Sequence, residues 1–127
     1  MQKSRLIEVL GAMSRQEMQQ LGKFLASPYH NTRTDVIRLY KQIDFAFRER
    51  LEDTLDKKYM YKEVFPNQDY SASNMLLVMS RLLKLAEDFL AIEQYRRDST
   101  AASLYLAELY RQRKLSKSFR HTTKTAY

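Results

Sequence analysis

The chain has no cysteine, no tryptophan, two glycines, two prolines and two histidines in 127 residues. Without cysteine there is no disulfide, no thiolate zinc site and no cysteine nucleophile, and two histidines leave little for imidazole chemistry. Glycine and proline make up about 3% of the chain, against roughly 12% in ordinary proteins. A sandwich or barrel, which turns about every 8 to 12 residues, cannot be built on so few turn formers. Long apolar runs are also missing: the longest is Met75 to Met79, and the stretch after Met1-Gln2-Lys3-Ser4-Arg5 is broken by Glu8. These residues therefore hold neither a membrane span nor a secretory signal, and with no cysteine the expected location is the cytoplasm.

What is present is 44% apolar and 29% charged residues, enough to fold one domain around a core. The net charge of +7 is uneven. Residues 1 to 94 hold 14 basic and 13 acidic groups, whereas residues 95 to 127 hold 8 against 2. The basicity belongs to the C-terminal quarter, and such an asymmetry points to an acidic protein surface or a polyanion as partner.

Helical periodicity runs through the whole chain. Residues 5 to 12 predict a short helix, and Ser14-Arg15-Gln16-Glu17 reads as a capping box opening a second. There Met18, Leu21, Gly22 and Leu25 form one stripe, with a glycine that permits close backbone approach, and Pro28 ends the helix. Asn31, Thr32 and Thr34 are alternative caps for a third helix reaching about Leu51, with Val36, Tyr40, Ile43, Phe47 and Leu51 on its inner face. Asp56 caps a short helix to about Phe65, stopped by Pro66, and Ser71 caps the longest, about 72 to 97. Its apolar set of Leu76, Met79, Leu82, Leu83, Ala86, Phe89 and Leu90 is wide enough to predict a central helix packed on two sides. After Asp98, a helix carries Ala102, Tyr105, Leu106, Leu109 and Tyr110 on one face, and a last one from about Ser116 carries Phe119 and Ala126. The pattern halts at Tyr127 without a stop signal, as expected of a piece of something longer.

Two stretches carry a resemblance. Phe24, Leu25, Ser27, Pro28, Tyr29 and Asn31, then Phe65 and Pro66, then Leu82, Leu85, Glu87, Phe89 and Leu90 match a Phe-Leu-x-Ser-Pro-aromatic-x-Asn loop, a Phe-Pro turn and a Leu-rich helix ending Glu-x-Phe-Leu. In this the chain resembles the N-terminal region of a group of large, uncharacterised helical bacterial proteins. The resemblance covers about half of the chain and implies an all-helical head followed by further helical hairpins, with no activity attached. The spacing of Leu106, Ala107 and Tyr110 ahead of a turn and Phe119 also resembles a tetratricopeptide-like hairpin, although Lys114 and Phe119 occupy its glycine and small-residue positions.

Little in the sequence supports catalysis. Gly11 and Gly22 stand alone, so no glycine-rich loop can cradle a phosphate. Neither His30 nor His121 has a carboxylate at helical ligand spacing, and Ser80 and Ser99 lack a local base. Glu52, Asp53 and Asp56 read as a helix end and the next cap, with a weak divalent-cation site as the alternative; Glu87 and Asp88 read as a solvated face. Tyr29 and His30 lie in a helix-joining loop, where one reading has Tyr29 plugging the core edge and the other makes both an exposed anchor for a partner. A helix-turn-helix from residues 57 to 65 and 72 to 97 has too long a turn, and no base-reading arginine before Arg81.

The expectation is an all-α protein of six or seven helices, an irregular helical bundle or the start of an α-solenoid. It has a head at 1 to 97, a basic hairpin at 98 to 127 and a central helix at about 72 to 97. Its expected role is that of a noncatalytic interaction or scaffold module without cofactor, metal or small-molecule substrate. Its partner is another protein or a second copy, and nucleic acid is the second choice, through cations interleaved with aromatics. The candidate contact residues are Tyr29, His30, Tyr105, Leu109, Arg111, Arg113, Lys114, Lys117 and Arg120.

Overall fold

The computed structural model describes residues 4–51 and 55–126, with side chains as far as residue 123. It holds α1 (Arg5–Gly11), α2 (Arg15–Ala26), α3 (Thr34–Arg48), α4 (Lys57–Val64), α5 (Ala72–Arg97), α6 (Ser99–Gln112) and α7 (Ser116–Ala126), with no strand among the described residues. The chain forms two compact units, residues 1–89 and 90–127, and α5 runs from the first into the second. No helix among the described residues is long and apolar enough to cross a membrane.

Short polar side chains start most of these helices by accepting from backbone N–H groups that the helix leaves unpaired, each contributing ~1 kcal/mol. Ser14 accepts from the Glu17 N–H at 3.1 Å while the Glu17 carboxylate accepts from the Ser14 N–H at 2.9 Å, the reciprocal pair its spacing predicts. Asp56, Ser71 and Asp98 accept in the same way from Tyr59, Asn74 and Ala101. The third helix departs from expectation: its cap residue is Arg33, which makes no side-chain cap bond. Asn31 is used elsewhere. Its amide donates to the Leu25 carbonyl at 3.0 Å and the Arg33 carbonyl at 3.1 Å, and its oxygen accepts from the Arg33 N–H at 3.0 Å. Asn31 thereby ties the end of α2 to the entry of α3.

Helix α3 also stops at Arg48, short of Leu51. Arg50 adopts a left-handed φ of 56°, and the Leu51 N–H turns back to the Ala46 carbonyl at 2.7 Å. Lys114, with φ 58°, ends α6 in the same manner, the Leu115 N–H bonding the Tyr110 carbonyl at 2.9 Å. Both are Schellman closures, which glycine favours but this glycine-poor chain builds from cationic residues.

The core of the first unit gathers Leu6, Ile7 and Leu10 of α1, Met18, Leu21 and Leu25 of α2, Val36, Leu39 and Ile43 of α3, and Met60, Tyr61 and Val64 of α4. Gly22 brings α2 close to α3, where the Tyr40 hydroxyl donates to the Met18 carbonyl at 2.5 Å. Burial, with the charge of Asp44 behind it, pushes the Tyr40 phenol above its ordinary pKa. Helix α5 buries Met75, Val78, Met79, Leu82, Ala86 and Phe89, which fall within roughly 100° of its circumference. Burial is complete along this stripe, Leu83 and Leu90 beside it are largely covered, and Leu76 of the expected wide face is 55% exposed. In the second unit, α6 and α7 pack together as a hairpin across a three-residue turn, Arg113 to Leu115.

Candidate functional site

The candidate residues fall in two places, a loop of the first unit and the hairpin of the second. In the loop, the His30 and Asn31 N–H groups both bond the Ser27 carbonyl at 3.0 Å, so the chain reversal after Pro28 is fixed by backbone bonds and by Asn31. The His30 ring stacks on Phe24, 4.0 Å between centroids, and Phe24 meets Phe89 edge-on at 5.6 Å. Tyr29 touches the edge of the His30 ring at 5.2 Å and is otherwise out in solvent, 92% exposed. It does not plug the core edge.

In the hairpin, Ala107 is the α6 residue that is fully buried, at 4% exposure. A side chain this small lets a neighbouring helix approach closely. Tyr105 and Leu109 lie two residues to either side of it, about 160° around the helix, and remain 70% and 39% exposed. Of the stripe Ala102, Tyr105, Leu106, Leu109 and Tyr110, the middle three are left open, and burial falls on the side of Ala107, Ser103 and Tyr110. Tyr95, near the end of α5, extends the open side, its ring 5.8 Å from that of Tyr105. Leu106 is exposed beside them.

The cations divide as well. Arg111 donates to Glu108 through two nitrogens, Nε at 3.0 Å and Nη2 at a shorter contact, and Gln112 adds a third bond at 3.3 Å. The hydrogen bond from Arg111 holds the Glu108 carboxyl below its ordinary range, and the same pair raises Arg111. Arg111 is thus largely committed within its own helix. Arg113, Lys114, Lys117 and Arg120 are exposed, and no ion pair engages them among the described residues. Lys117 and Arg120 project from the side of α7 opposite buried Thr122, roughly 140° and 160° around the helix from it.

Two of the concavities in the first unit are lined partly by α3. One, of about 580 Å³ against α3 and α4, has Phe45, Leu51, Leu55 and Tyr59 as apolar members and Gln42 and Glu63 as polar ones. The other, of about 520 Å³, contains Arg33, Asp35 and Arg38. Burial raises the Asp35 carboxyl, but the paired bonds and charge of Arg33 and the Val36 N–H outweigh it, so its pKa is lowered overall. Arg38 donates to the Val64 carbonyl at 3.2 Å. No group of three metal-ligating side chains occurs among the described residues; Asp56 serves as a cap, and Glu52 and Asp53 lie outside those residues.

Neither the contact between Tyr95 and Tyr105 nor the groove formed by Phe45 and Tyr59 is among the expectations from sequence. The signal for the groove was present, since both aromatics fall off the buried stripes of their helices. No family model matches the chain, and neither a curated protein nor a solved structure matches it.

Proposed function

We propose that the chain is a noncatalytic, cytoplasmic helical interaction module that docks a protein partner along the open side of α6. The observation behind this reading is the position of Tyr105 and Leu109, opposite Ala107 on a helix whose other side is covered. Exposed tyrosine is enriched among interface anchors, and burying it together with the leucines beside it drives association. The excess of cations in the same unit, 8 basic against 2 acidic groups over residues 95 to 127, disfavours a second copy as that partner. Two copies meeting face to face would set like charges together.

The test is a photoreactive benzoylphenylalanine placed at position 105 in the expressing cell, with position 59 as a control. The expected result is a discrete adduct from position 105 that disappears when Leu109→Asp is added. An adduct of twice the chain's mass would identify a second copy as the partner. The absence of an adduct at 105, or one indifferent to Leu109→Asp, would overturn the reading.

A further inference from the structure

The hairpin separates its apolar side chains from its free cations, and we infer that the outer side of α7, with the turn before it, is a second surface that binds the phosphate backbone of duplex nucleic acid. Arg113 and Lys114 sit in the turn, and Lys117 and Arg120 follow at one-turn spacing on the exposed side of α7. The described part of α7 has no acidic residue, and the exposed hydroxyl residue Ser116 lies on the same side as Arg120. Lysine, arginine and serine are the side chains that bind phosphate oxygens, and such contacts carry no sequence information.

The composition of the surface selects among polyanions. A membrane-surface helix needs its apolar side free, yet Phe119 is half-buried and Thr122 buried, leaving Leu115 as the one exposed apolar side chain of this stretch among the described residues. A protein interface needs an apolar centre, and here that lies on α6. Single strands are held by stacking on aromatic rings, and the exposed tyrosines of this unit, Tyr95 and Tyr105, belong to the α6 side. What remains is a short cationic row suited to a duplex, which presents a negative charge about every 1.7 Å along its axis. Arg111, held by Glu108, does not count towards it.

The experiment is fluorescence anisotropy of the full chain with a labelled mixed-sequence duplex across a salt series, with anionic phospholipid vesicles and polyglutamate as competing probes. Neutralising four phosphates gives a slope of log affinity on log salt of about −3.6, or roughly a 150-fold loss between about 50 and 200 mM salt. The quadruple variant Arg113→Gln, Lys114→Gln, Lys117→Gln, Arg120→Gln should lose the binding with its helical circular dichroism intact. Should it fail to fold, each single change should still reduce the slope by about 0.9. Tyr105→Ser should leave duplex binding unchanged. No binding at low salt, a slope indifferent to these substitutions, or tighter binding to vesicles or polyglutamate than to duplex would overturn the inference.

Discussion

A Cβ placed on Gly22 would stand 2.9 Å from the Tyr40 hydroxyl oxygen, and that hydroxyl is itself held by the Met18 carbonyl. The ring cannot swing away without abandoning a buried hydrogen bond. Gly22→Ala is therefore expected to destabilise the protein by about 1–3 kcal/mol. Gly11→Ala, whose Cβ would meet only Phe47 at 4.0 Å, should be neutral or stabilise by up to ~1 kcal/mol through helix propensity. Urea unfolding of both variants checks this, and combining Gly22→Ala with Tyr40→Phe should cost less than the two changes separately.

The loop before α3 makes opposite predictions for neighbouring residues. Asn31→Ala removes three hydrogen bonds from a buried site and strands their backbone partners, at a cost of about 2–3 kcal/mol. Tyr29→Ala removes a side chain that is 92% exposed and should change stability by less than about 0.5 kcal/mol. Thermal unfolding of the two variants side by side separates a structural residue from a surface one.

These contrasts show what could be read from the sequence. The caps Ser14, Asp56 and Ser71 were legible because each acts on an N–H three residues away, within its own helix start. The use of Asn31 was not, since the Leu25 carbonyl comes within reach only after the chain reverses. Periodicity likewise finds an apolar stripe without saying whether a neighbour covers it. Leu76 and Tyr105 have the spacing of core residues and are exposed, while a single alanine, Ala107, marks the buried side of α6. At the candidate site the residue types were legible; their division between two sides of a hairpin required the packing of α6 on α7.

Lys114 ends α6 with a left-handed φ of 58°, a conformation that costs an L residue roughly 1–2 kcal/mol. Lys114→Gly should therefore stabilise the fold, raising the unfolding midpoint, while removing one of the four cations of the α7 surface. A variant that is more stable yet weaker for duplex would distinguish loss of charge from loss of structure.

Asp35 supplies a pH dependence. Its folded pKa lies below the ordinary carboxylate value of 3.8, so its pairing with Arg33 adds stability that is fully present above that value. The contribution is lost as pH falls through the lower, folded value. Asp35→Asn should cost ~1 kcal/mol at neutral pH, and the difference from wild type should shrink as the solution is acidified below the carboxylate range. Urea midpoints measured across that range provide the check.

The account turns on α6 docking a partner by apolar contact while the free cations act elsewhere. The most direct measurement is the yield of the position-105 photoadduct at low and high salt, in the wild type, in Leu109→Asp and in the double variant Lys117→Gln, Arg120→Gln. The account predicts an adduct that persists at high salt and in the double variant, and vanishes with Leu109→Asp. An adduct that fades with salt and with loss of the two α7 cations, but survives Leu109→Asp, would contradict it.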